Sequence, residues 1–199
     1  MNAGVLILGG SEATRLPGKL ELATGDVPMI VRVLRNFDGA PETWIAGKGT
    51  FPPGSDAALP APMAIDRWSR RGPLAGMLTT MARMRSRWVF AVAGDAPFLD
   101  AAFAERLEAA RAPGDEAVVP ARERDGQTQL EPLAALYDRL AFVREGLPVL
   151  RSGNGALRAV IDRLRARLVP AGDPAVFANV NTPADYEALR AALASGEPA

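Results

Sequence analysis

Two cations, Arg15 and Lys19, follow an apolar run, Gly4 to Leu8, that ends in Gly9-Gly10, and a carboxylate, Asp95, closes a second apolar run, Trp88 to Ala93. Those residue types at those places suit a polyphosphate and a divalent metal. Glycines let backbone N–H groups approach phosphate oxygens closely, and Arg and Lys add fixed positive charge. A carboxylate on a rigid strand end is a hard ligand for a hard metal ion. Two familiar glycine motifs do not describe the loop. A P-loop requires G-x-x-x-x-G-K-[ST]; Gly18-Lys19 is present, but Ala13 holds the first glycine position and Leu20 the hydroxyl position. The dinucleotide pattern G-x-G-x-x-G is not formed by Gly9-Gly10-Ser11-Glu12-Ala13-Thr14.

Composition narrows the chemistry further. The 199 residues contain neither cysteine nor histidine, which excludes disulfides, thiolate nucleophiles and imidazole metal ligands. Catalysis would then use carboxylates, cations, hydroxyls or a metal on oxygen ligands. Twenty-three basic and twenty-three acidic residues cancel, so no long-range field favours nucleic acid or an anionic membrane. The N-terminal apolar run is too short for a membrane span and lacks the charged start of a signal peptide, so a cytoplasmic protein is expected.

The elements that must position these residues alternate between strand and helix. After the loop, Leu20 to Leu22 reads as a short extended piece and Met29 to Arg35 as an amphipathic helix beginning near Pro28. Strands are expected at Glu42 to Ala46, Met63 to Asp66, Trp88 to Ala93, Glu116 to Pro120, Leu130 to Tyr137 and near Leu168-Val169, with a polar strand at Phe177 to Val180. Helices are expected from Gly72-Pro73 to about Arg85, from an Asp100 cap to about Arg111, around Ala141 to Gly146 and Ala156 to Arg165, and after Thr182-Pro183. Phe51 to Pro62 reads as a loop or weak helix, and Arg122 to Thr128 as a charged surface loop. The pattern predicts a single α/β domain over residues 1–199 with a mostly parallel sheet.

In such a sheet ligands bind beyond the carboxyl ends of the strands. The Gly9-Gly10 loop, Asp66 and Asp95 all close strands, so they are expected on one rim and in one cleft. Arg70 and Arg71 read as a solvated basic pair.

Five segments in order resemble the molybdenum cofactor guanylyltransferases and their neighbours among the nucleotidyltransferases: Leu8-Gly9-Gly10 with Arg15 and Lys19, Gly72-Pro73-Leu74-Ala75-Gly76, Gly94 to Leu99, Glu131 to Tyr137, and Asn179-Val180-Asn181-Thr182-Pro183. The resemblance implies a Rossmann-like three-layer α/β/α sandwich of the nucleotide-diphospho-sugar transferase type. It implies transfer of GMP from GTP to the phosphate of a molybdopterin cofactor, with magnesium and release of pyrophosphate. Leu8, Gly9, Gly10, Lys19, Asp66, Gly72 and Asp95 would bind the nucleotide. Arg15, Lys19 and Asp95 would be catalytic, with Asp95 on the metal. Asn179 and Asn181 would line the acceptor side, one of them completing the metal site. The loop departs from the family spelling: Thr14-Arg15-Leu16 is similar to the Gly-Thr-Arg-Leu of sugar-phosphate nucleotidyltransferases, and Gly18 stands where an acid usually precedes the lysine. A sugar-phosphate or cytidylyl-type transferase, and a nucleotide-binding regulatory protein without catalysis, are the alternative readings.

Overall fold

A computed structural model describes residues 1–9, 16, 18–47, 61–65, 72–124 and 126–195. The chain opens with β1 (Gly4–Leu8), a small hairpin of β2 (Ala23–Thr24) and β3 (Val27–Pro28), helix α1 (Met29–Arg35), β4 (Thr43–Gly47) and β5 (Met63–Ile65). It continues through α2 (Gly72–Met81), β6 (Trp88–Ala93), α3 (Ala101–Ala109), β7 (Ala117–Arg124), β8 (Gln127–Leu130) and β9 (Ala134–Asp138). The last elements are α4 (Arg139–Arg151), α5 (Leu157–Ile161), β10 (Ala166–Pro170) and α6 (Pro183–Ser195).

The main sheet runs β10-β7-β9-β6-β1-β4-β5, with β8 also paired to β7. Strands β5, β4, β1 and β6 are mutually parallel, as are β7 and β10, while β9 runs antiparallel to both β6 and β7. The central strands β1 and β6 are buried on both faces, and their alternation assigns the two cores. Leu6, Val89 and Ala91 face a core built with α2, α4 and α5. Val5, Ile7, Phe90 and Val92 face a second core built with α1 and α3. A mostly parallel sheet covered by helices on both faces is the expected three-layer sandwich. Among the described residues no helix is long and apolar enough to cross a membrane.

Several expected boundaries change. Arg122 to Thr128 is not a free loop: β7 continues to Arg124 and turns back as β8, with Arg122 opposite Gln129 and Glu123 opposite Thr128. Cross-strand polar pairing makes a charged segment a viable exposed ribbon. Leu130 to Tyr137 is two strands rather than one, because the chain leaves the ladder at Glu131-Pro132-Leu133 and Pro132 has no N–H to continue it. Leu20 to Leu22 is not one extended piece; Lys19–Glu21 is a 3-10 turn, and only Leu22 after it is extended. Phe177 to Val180 forms no strand; Phe177 ends a 3-10 turn begun at Pro174, and Val180 N–H makes a single backbone bond, to Asp95 O at 3.0 Å. Helix α2 stops at Met81, short of Arg85, and α5 stops at Ile161, short of Arg165. Helix α4 runs through Pro148, beyond Gly146, because Val149 and Leu150 on its last turns are buried.

Candidate nucleotide site

The register sets the rim. Leu8 is paired with Ala46 of β4 and Ala93 of β6, so three parallel strands end at one level. Beyond that level the backbone stays knitted: Gly9 N–H donates to Ala46 O at 2.8 Å and Gly94 N–H to Leu8 O at 2.9 Å. The Gly9 amide is therefore spent on the ladder. Gly94 is required by space, since a Cβ there would sit 2.9 Å from Leu8 O, closer than real Cβ atoms approach a carbonyl.

Lys19 and Asp95 meet on this rim although 76 positions separate them. Gly18 has φ 69°, which glycine adopts without strain, and its turn into the 3-10 segment starts at Lys19. The Lys19 side chain is 7% exposed and Asp95 15% exposed, and Lys19 Nζ donates to Asp95 Oδ2 in an ion pair. The same ammonium donates to Asn181 Oδ1 at 2.9 Å. One buried cation from near the N-terminus is thus held by a carboxylate from mid-chain and an amide oxygen from the start of the last helix.

Asn181 is placed by the start of α6. Asp185 Oδ2 accepts from Asn181 N–H at 2.9 Å and Thr182 N–H at 2.8 Å, while Asp185 N–H donates to Thr182 Oγ1 at 3.2 Å. This reciprocal cap satisfies donors at the helix start. The Asn181 N–H, ahead of the Thr182 contacts, holds the Asp185 carboxyl below its ordinary range. The segment after Asp95 is fixed by Asn36, which the sequence reading did not single out: Asn36 Nδ2 donates to Pro97 O at 2.8 Å and Leu99 O at 3.0 Å. An amide just past the C-terminus of α1 gave no sequence signal for a contact 61 residues away.

Beside the cluster lies a cavity of about 470 Å³, bordered by Ala93 and Asn179. Its other walls are Pro73 at the start of α2, Glu131 to Ala134 between β8 and β9, the lead-in to α5, and Phe177. The two asparagines therefore separate, with Asn181 on the Lys19–Asp95 cluster and Asn179 on the cavity. Gly72 opens α2 at φ 63°, and the atom nearest its missing Cβ is Gly155 O. Leu8 ends β1, half-buried, against the α2 side of the sheet. Gly10, Arg15 and Asp66 lie outside the described residues, as do Arg70 and Arg71. Glu131 opens the family-like segment Glu131 to Tyr137, yet the sequence assigns it no role; a lone acid inside the apolar stretch Leu130 to Tyr137 is the available signal. Among the described residues no three acids gather as a metal cage.

The model of the MobA-like NTP transferase domain matches residues 5–168. A molybdenum cofactor guanylyltransferase of Cupriavidus pinatubonensis is 32% identical over 113 residues, 56% of this chain and 56% of its own length. The chain thus spans little more than half of that relative. A probable molybdenum cofactor guanylyltransferase of Natronomonas pharaonis is 27% identical over 202 residues, covering 96% of this chain and 97% of that protein. The structure is similar to molybdopterin-guanine dinucleotide biosynthesis protein A of Archaeoglobus fulgidus, with TM-score 0.78, 21% identity, and coverage of 96% and 99% of the two chains. With the family model spanning most of the sheet and its rim, the chain belongs to the MobA-like NTP transferase domain family.

Proposed function

We infer that this chain transfers GMP from GTP to a phosphorylated acceptor, a molybdopterin cofactor, and releases pyrophosphate. The observation that carries the reading is the convergence of Lys19, Asp95 and Asn181 on the strand-end rim. The names of the relatives support GTP and molybdopterin as donor and acceptor.

In the proposed reaction an acceptor phosphate oxygen attacks the α-phosphorus, a P–O bond forms, and the bond to the β-phosphate breaks. That oxygen is already anionic at neutral pH, so no general base is needed, in keeping with a chain that has no histidine. Catalysis is then positioning and charge neutralisation. Lys19 would leave Asp95 for the triphosphate, and Arg15 would add a second cation. Leu8, Gly9, Gly10, Asp66 and Gly72 would border the nucleotide, and Asn179 the acceptor.

Magnesium fits the donor set: Asp95 and Asn181 present two hard oxygens that already converge on one cation, Lys19 Nζ. Magnesium retains waters and substrate phosphate oxygens, so a small protein donor set suffices. Once bound, it would supply further neutralisation of the α-phosphate.

A thermal-shift panel of GTP, CTP and UTP with magnesium tests the reading, because a ligand that prefers the native state raises the midpoint. GTP is expected to give the largest rise. A flat panel would overturn the reading, and a preference for CTP or UTP would reassign the donor.

A further inference from the structure

The cavity beside Asn179 has mostly apolar walls, among them Pro73, Leu99, Leu133, Leu157 and Phe177. Its charged lining residues are Glu131 and Arg158. Arg158 Nε donates to Asp162 at 2.8 Å, and both side chains are more than half exposed, so this cation is satisfied at the surface. Glu131 differs: its side chain is 20% exposed and Arg122 Nη2 donates to Oε1 at 2.5 Å. Among the described residues no hydrogen bond is made to Oε2.

The backbone around this carboxylate is fixed. Glu131 N–H donates to Pro120 O at 2.9 Å and Ala134 N–H to Glu131 O at 3.2 Å, while Tyr137 OH holds the next carbonyl, Pro132 O, at 2.8 Å. Arg122 is oriented too, with Nε donating to Gln129 Oε1 at 3.3 Å and its guanidinium 5.8 Å from the Phe177 ring centre. Burial holds the Glu131 carboxyl above its usual range, against the opposing effect of Arg122. With no orphaned buried side-chain atom among the described residues, Oε2 is an accessible acceptor on a rigid support, open to a donor in the cavity. Since Arg122 already neutralises the charge, the complement is a neutral N–H edge rather than another cation.

The geometry points to Glu131 as the specificity-determining residue of this cavity, its Oε2 accepting from the N–H edge of a fused heterocycle with the 2-amino-pyrimidinone pattern, carried by the acceptor. This rests on the acceptor reading of the cavity given above. The volume suits such a ring, within the range of small-molecule pockets. Guanine carries the same pattern, so the nucleotide's own base is the other source of this chemistry.

The test is a fluorescence titration of the full chain with 6-hydroxymethylpterin and with 6-hydroxymethyllumazine, which has a carbonyl in place of the 2-amino group. Each is run with and without saturating α,β-methylene-GTP, whose α–β bridge resists cleavage. The expected result is pterin binding roughly 10- to 100-fold tighter than lumazine, the scale of one hydrogen bond to a charged group. Binding should persist with the nucleotide present, and the preference should vanish in Glu131→Gln with its GTP thermal shift unchanged. The wild-type comparison stands even if that variant fails to fold. Equal affinity for the two rings, or a preference kept in Glu131→Gln, overturns the Glu131 assignment while leaving the acceptor reading intact. Displacement by the nucleotide analogue makes the cavity the guanine site and overturns it as well. Failure of the wild type to bind either ring, with the GTP shift present, removes the acceptor reading and this inference together.

Discussion

Replacing Lys19 by Met removes the cation from Asp95 while keeping the aliphatic stem. Two unit charges about 3 Å apart at an effective dielectric of about 20 attract by about 5 kcal/mol. Deleting one partner of a fully buried pair costs about 3–5 kcal/mol, because the other charge is stranded. Here the side chains are 7% and 15% exposed, so water relieves part of the loss at Asp95. Asn181 is exposed and can exchange its Lys19 bond for water. We expect Lys19→Met and Asp95→Asn each to destabilise the fold by about 2–3 kcal/mol. The double variant should cost scarcely more than either single, leaving a coupling of about 2 kcal/mol. Urea unfolding of the four proteins at neutral pH without nucleotide or metal measures the cycle. Additivity within about 0.5 kcal/mol would refute the reasoning, since it would mean that each ion is fully solvated without the other.

Two other perturbations follow from the same rim and from the opposite end of the sheet. Gly94→Ala places a Cβ 2.9 Å from Leu8 O, with Ile30 and Leu20 side chains at 3.2 and 3.3 Å. Overpacking against a backbone carbonyl should lower stability by about 1–3 kcal/mol, read as a lower urea midpoint at unchanged slope; an unshifted midpoint would contradict the close approach. Glu116 is buried, accepting from Arg165 N–H at 3.0 Å and from Arg144 Nη2 at 2.9 Å; these contacts, the Arg165 amide foremost, hold its carboxyl below the usual range. A lowered folded pKa adds stability above the unfolded value, roughly pH 4.3, and that stability is lost as pH falls through the folded value. Glu116→Gln should therefore trail wild type at pH 6–7, with the gap closing below about pH 4; a gap constant with pH would contradict the assignment.

Much of this architecture was legible because strands buried on both faces write apolar runs. Gly4 to Leu8 and Trp88 to Ala93 were read at their structural bounds, and the acid and glycines closing them marked the rim before any coordinates. Asp100 was read as a helix cap, and its carboxylate accepts from Phe103 N–H at 2.8 Å. The exposed ribbon of β7 and β8 was hidden because its stability comes from cross-strand partners, which a charged local sequence does not reveal. Lys19 and Asp95 were both singled out, but their ion pair was not, since a contact across 76 positions leaves no periodic trace. The hydrogen bond from Gly9 N–H to Ala46 O was hidden for a related reason: its partner belongs to a neighbouring strand.

The central claim is that the Lys19–Asp95–Asn181 rim transfers a nucleotidyl group. It is tested most directly by incubating the protein with α-phosphate-labelled GTP, magnesium and molybdopterin, then following label into the acceptor alongside pyrophosphate release. Wild type is expected to move label and release pyrophosphate in equal amounts, and folded Asp95→Ala to do neither. Transfer at the wild-type rate by folded Asp95→Ala, or no transfer by wild type despite bound GTP, would contradict it.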